Sequence, residues 1–165
     1  IVAVGGNLSI DGSLDAAALY DMNMGSDPEA IRLVLGTSVP ITIVPIDLCR
    51  QITIERADYY QQIPDATPIG RYLRRTSLSW FGIAGNNIVP WDAIALSYLI
   101  HTENFTTSIC AVDVHTKQDL RQNVWFHVGE IGREIRIVTA VDDRSHLWEW
   151  LSRTLLNSTD EPSRY

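Results

Sequence analysis

Residues 27–47, "DPEAIRLVLGTSVPITIVPID", constrain the fold more than any other stretch. They read as a helix that runs directly into a buried strand. Asp27 is placed to accept hydrogen bonds from first-turn N–H groups, and Pro28 suits the first helical position, where no N–H is needed. Ile31, Val34 and Leu35 fall on one face, and Gly36 suits the stop. The run 39–47 is apolar, β-branched and bounded by prolines, the pattern of a buried strand. Upstream, "IVAV" at 1–4 is another apolar strand, closed by Gly5-Gly6. Strand, helix and strand in this order predict an α/β fold with a mainly parallel sheet and flanking helices.

The remaining chain extends the same plan. Residues 8–26 read as loop, with room for a helical turn at 14–20. Helices are predicted at 55–63, cut off before Pro64, at 68–82, and at 91–101, the last capped by Asp92 with Ile94, Ala95, Tyr98 and Leu99 on adjacent apolar faces. Strands are predicted at 107–116, 122–129 and 134–142. Residues 144–157 form an amphipathic helix with Leu147, Trp150, Leu151 and Leu155 as its buried stripe. The polar tail 158–165 is expected to fray. No repeat, low-complexity segment or linker divides residues 1–165, so they read as one domain.

Composition narrows the partners. An apolar fraction of 45% over 165 residues is enough for a real core. A net charge of −7 argues against a nucleic-acid partner, whose backbone demands a positive surface. The basic run "RYLRR" at 71–75 fits a solvated helix face. No stretch reaches the ~20 apolar residues of a membrane-spanning helix. Cys49 and Cys110 lack metal or disulfide spacing and are expected as buried free thiols. N-x-[ST] triplets occur at Asn7, Asn104 and Asn157. The chain opens inside a core strand, without Met or leader, and reads as part of something longer. Its compartment is left open, with the cytoplasm favoured.

Ligands of parallel α/β sheets bind beyond the carboxyl ends of the strands. The loop after strand 1–4 lies at such an end and carries Asp11, Asp15, Asp21 and Asn23. The loop before Asp92 can converge on the same place. Together they offer carboxylates, an amide and the indole of Trp91, which suits a hard cation or sugar hydroxyls beside an aromatic plate. On residue type alone, Asp92 fits a helix cap, a metal ligand, or both.

Three stretches together resemble the inosine/uridine-preferring nucleoside hydrolases, calcium-dependent N-ribohydrolases. They are "VGGN" at 4–7, "DMNMGSDPEA" at 21–30 flowing into "VPITIVPID", and "WDAIALSYLI" at 91–100. Their order and spacing fit the family, and the resemblance runs along essentially the whole chain. It implies an enzyme that hydrolyses the N-glycosidic bond of ribonucleosides. In such enzymes Ca²⁺ binds the ribose hydroxyls and a water, an aspartate takes a proton from that water, and the base is helped to leave. Matched position by position, Asp92 resembles the family's carboxyl-terminal calcium ligand. Asn23 resembles its ribose-binding Asn. Asp21 stands where most members carry Glu, also a ribose contact. Trp91 resembles the Trp-Asp pair of the purine-specific members, whose indole stacks on the departing purine.

The departures are as informative. Val4 replaces the usual Met. The family's loop Asn has no match, since Asn7 lies too early and Asp11 and Asp15 are the wrong type. The D-x-D-x-G-x-D-D motif, which carries most calcium ligands and the general base, belongs to an amino-terminal half that this chain lacks. One ligand cannot hold an ion that takes six to eight oxygens. Two expectations follow. Either the chain is the carboxyl-terminal half of a hydrolase, inactive alone and completed by an amino-terminal half or sister chain, or it is a non-catalytic domain of the same fold that binds a ribosyl ligand or a protein. The resemblance also implies a homo-oligomer.

Overall fold

The computed structural model describes residues 1–9, 21–63, 65–116 and 124–156. Asp11, Asp15, the turn at 14–20 and Asn157 lie outside them, as do the side chains of Leu151 and Leu155. The chain divides into two compact units, one built from residues 1–51 and 91–142, the other from 52–90 and 143–165.

The first unit holds a six-stranded sheet. Its strands are β1 (Val2–Val4), β2 (Asn7–Ser9), β3 (Thr42–Val44), β6 (Phe105–Thr116), β7 (Val124–Gly129) and β8 (Arg133–Val141), in the order β1-β3-β8-β6-β7-β2. The pairs β1/β3, β3/β8 and β2/β7 are parallel, and β6 runs antiparallel to β7 and β8. The sheet is thus mainly parallel, as the alternation of elements predicts. Its helices are α1 (Met22–Gly25), α2 (Pro28–Leu35), α3 (Ile46–Cys49) and α6 (Trp91–Ile100). The core joins Met24, Leu35, Ile41, Ile43, Val112, Val114, Phe126, Ile135 and Ile137.

Helix α2 follows its local grammar. Asp27 Oδ1 accepts from Ala30 N at 3.0 Å, Pro28 opens the helix, and Gly36 ends it. The strand expected over 39–47 is only three residues long. Pro45 has no N–H to continue a ladder, and its backbone turns directly into α3. Helix α6 starts at Trp91, so Asp92 sits inside the first turn and not at the expected cap. Leu99, expected on the buried face of α6, is 59% exposed, whereas Ile94, Ala95 and Tyr98 are buried.

The second unit contains α4 (Arg56–Gln62), α5 (Pro68–Ala84), α7 (Arg144–Leu156) and a small antiparallel pair, β4 (Ile54–Glu55) with β5 (Asn87–Ile88). Its core gathers Ile54, Tyr59, Ile63 and Phe81, with Trp148 packed against it. On α7, Leu147 is buried as predicted, and Trp148 joins the aromatic cluster 6.2 Å from Tyr59. The "RYLRR" run is more than a solvated face. Arg74 Nη1 donates to Tyr60 O and Ile63 O at 2.6 Å each, closing the free carbonyls at the end of α4.

Strands β1 and β2 lie at opposite ends of the sheet order, yet only Gly5 and Gly6 separate them. The sheet therefore coils round until its two ends meet at this turn. Gly6 has φ +78°, and a Cβ there would lie 2.1 Å from the Phe126 ring. Both features exclude a side chain. We expect Gly6→Ala to destabilise the fold by about 3 kcal/mol, combining left-handed strain with overpacking of a filled core. A urea unfolding midpoint no lower than that of the parent would contradict this.

Candidate functional site

The Gly5–Gly6 turn is a junction of backbone bonds. Gly5 N donates to Val44 O at 3.1 Å, and Ile46 N donates to Gly6 O at 3.0 Å. The carboxyl ends of the parallel strands β1 and β3 are thereby held together, where ligands of such sheets gather.

Asp21 stands at this junction and is 1% exposed. Its Oδ1 accepts from Asn23 N at 2.9 Å and Met24 N at 3.2 Å, and its Oδ2 accepts from Gly6 N at 2.5 Å. It is the cap of α1 and a tie from that helix to the glycine turn. A carboxylate has about four lone-pair sites, so three backbone donors leave little for a sugar. Asn23, one step into α1, is exposed, and its Nδ2 donates to Val4 O at 3.2 Å. Asp21 and Asn23 are therefore brought to the end of β1 in different settings, one buried in backbone bonds and one facing outward.

Asp47 was not a candidate from sequence. Its Oδ2 accepts from Leu8 N at 2.7 Å, tying α3 to β2. The signal was an acid placed directly after a buried strand, but nothing in the pattern named its partner.

The first turn of α6 carries Trp91, half-buried, and Asp92, exposed. Helix α6 packs on β1 and α3. The Cys49 thiol on α3 feels its neighbours. Burial pushes it up to about 12, with the carboxylates of Asp92 and, more weakly, Asp47 acting in the same direction. Asp92 and Asp47 thus both add negative charge around Cys49, at the end of α3. Cys49 is fully buried and Cys110 partly so, both as free thiols.

The expected cation can be tested against these groups. Among the described residues no cluster of three or more His, Cys, Asp or Glu side chains is arranged to hold a metal. Asp92 alone does not meet the six to eight oxygens that Ca²⁺ requires. These residues do not make the site by themselves.

Asn7 adds a buried polar group nearby. It is 1% exposed, and neither Oδ1 nor Nδ2 has a partner among the described residues. Its burial in β2 also rules it out as a glycan acceptor. Beside β1 lies a groove of about 360 Å³, lined mainly by apolar side chains including Ala3, Ile31, Leu35 and Phe126, with Asn23 and Asp27 as its polar lining. Neither Trp91 nor Asp92 lines it.

Two outcomes test this geometry. Asp21→Asn keeps the shape but turns an amide donor toward a backbone donor, so it should cost about 1–3 kcal/mol in a urea titration. An unchanged midpoint would contradict the three-bond cap. A thiol pushed up to about 12 leaves roughly one thiolate in ten thousand at pH 8. Iodoacetamide on the native protein at that pH should therefore label Cys110 before Cys49, as peptide mapping would show. Equal labelling would refute the protected thiol.

Known proteins share this fold. The family model described as inosine-uridine preferring nucleoside hydrolase matches residues 1–149. An uncharacterised Schizosaccharomyces pombe protein is 23% identical over 152 residues, covering 87% of this chain and 48% of that protein. A Shigella boydii protein named as a pyrimidine-specific ribonucleoside hydrolase is 26% identical over 123 residues, covering 68% and 50%. Among solved structures, a plant nucleoside hydrolase superposes with TM-score 0.74 at 19% identity, covering 92% of this chain and 51% of that one. A purine-preferring ribonucleoside hydrolase from Gardnerella vaginalis gives 0.69 at 19% identity, covering 92% and 50%. The chain thus spans about half the length of the relatives it matches. The match over residues 1–149, on a sheet of the same fold, makes this chain a member of the inosine-uridine preferring nucleoside hydrolase family.

Proposed function

We propose that the chain supplies the leaving-base and ribose side of a site that hydrolyses the N-glycosidic bond of purine ribonucleosides, completed by residues outside this chain. The observation that carries the reading is the pair at the start of α6: a half-buried Trp91 followed by an exposed Asp92, on a helix packed against β1 and α3.

Each group has a task it can perform. The indole of Trp91 offers a flat face to a purine, and stacking favours the base as it gains electron density and leaves. Asn23 faces outward from the end of β1 and can bind a ribose hydroxyl. Asp21 holds Asn23 and the glycine turn in position through backbone bonds, a supporting part in ribose binding. Asp92 contributes one carboxylate toward a Ca²⁺ whose other ligands come from elsewhere. A general base must also come from elsewhere, because proton abstraction needs a carboxylate within hydrogen-bond reach of the attacking water. The second reading, a ribosyl-binding domain without catalysis, is favoured by Asp21, which is buried and held by three backbone donors.

The test is turnover with inosine, guanosine and uridine, by the chain alone and when completed by the other half of a family member. The chain alone should be silent. In the completed enzyme, Trp91→Ala should lose about 1–3 kcal/mol of stacking, a roughly five- to 150-fold fall in kcat/KM for the purine nucleosides and less for uridine. Equal losses on all three would reject the purine assignment. Silence of the completed protein toward every nucleoside would reject hydrolysis and favour the binding domain.

A further inference from the structure

Helix α5 carries Arg71, Arg74 and Arg75. The second and third stand three and four residues beyond the first, so all share one helix face. With Tyr60, Asp65 and Leu78 they line a groove of about 410 Å³ between α4 and α5, wholly within the second unit.

Two of the guanidiniums are held in place without being neutralised. Arg71 Nη1 donates to Asp65 O at 3.0 Å and to Ala66 O at 3.1 Å. Arg74 Nη1 donates to Tyr60 O and Ile63 O, and its guanidinium carbon lies 4.8 Å from the centre of the Tyr60 ring. In each case a single nitrogen anchors the group, and its acceptors are uncharged carbonyls. Nε and Nη2 of both side chains have no partner among the described residues. Arg75 has no hydrogen bond there, and none of the three arginines forms an ion pair.

This is an unusual concentration of charge on a chain whose net charge is −7. Like charges three and four residues apart destabilise a helix, and a guanidinium cannot relieve the strain by losing its proton. Three guanidiniums face one carboxylate, Asp65, in the groove. The balance suits a dianion better than a single carboxylate, and the unbonded guanidinium edges match phosphate oxygens. Because Arg71 and Arg74 are already fixed, little side-chain freedom is lost when they bind. The volume lies within the range of small-molecule sites, roughly 300–1,000 Å³, and exceeds what a lone phosphate fills. Asp65 repels a second anionic group but accepts from hydroxyls.

We propose that the groove between α4 and α5 binds a small hydroxyl-bearing phosphate monoester, its phosphate gripped by Arg71, Arg74 and Arg75. The proposal uses none of the residues assigned above to nucleoside hydrolysis and stands whether or not that reading holds.

The experiment is calorimetric titration of the 165-residue chain at fixed ionic strength with ribose 5-phosphate, orthophosphate and ribose. Ribose 5-phosphate should bind, orthophosphate more weakly, and ribose not at all. Arg75→Gln removes a side chain that holds nothing else, and Arg71→Lys keeps the charge but loses the fork. Each should weaken ribose 5-phosphate about tenfold or more, while the thermal melt of ligand-free Arg75→Gln stays at or above that of the parent. The site is overturned if ribose 5-phosphate binds no better than ribose, or if both variants bind it as the parent does. Orthophosphate binding as tightly as the ester overturns the monoester and leaves the free ion as the ligand.

Discussion

Two adjacent glycines carry the architecture, because they are where the two ends of the sheet meet. Gly5 and Gly6 have positive φ, and a Cβ on either would strike a core side chain, Met24 in one case and Phe126 in the other. Their backbone groups bind β3, α3 and the Asp21 carboxylate. One turn thus fixes the end of β1, the start of β2, the approach of α3 and the position of α1. Asp21, Asn23 and Asp47 are all placed by bonds that lead back to this point.

The polar groups here divide between scaffold and surface. Asp21 and Asp47 spend oxygens on backbone N–H groups, and such charge-assisted bonds are strong ones. Asp92 and Asn23 remain exposed. Two carboxylates thus act as struts, while the Asp92 carboxylate and the Asn23 amide stay open to solvent. The cost shows at Cys49, where burial and the nearby negative charge hold the thiol in its neutral form.

What could be read from sequence was local. The helix at 28–35 was legible because Asp27, Pro28 and Gly36 state their roles through their own backbone. The strand after it was legible in kind but not in length, since a second proline ended it. The start of α6 at Trp91 was legible, but the role of Asp92 was not, because an Asp serves equally well at the cap and in the first turn, where it meets the helix dipole. The β4/β5 pair was invisible: two residues in each strand, far apart in sequence, carry no periodicity. The burial of Asp21 was also invisible, because its decisive partner, Gly6 N, lies 15 residues away. The family pattern marked Trp91, Asp92, Asp21 and Asn23 together, but only the geometry separates the buried acid from the exposed groups.

The hydrogen bond from Asn23 to Val4 anchors that side chain to the strand. One of its two Nδ2 hydrogens is committed to Val4 O, which leaves the second N–H and the Oδ1 lone pairs. The exposed amide thus keeps a donor and an acceptor side by side, in a position set by the edge of the sheet. A hydroxyl, which both gives and accepts hydrogen bonds, is the kind of group that can meet either.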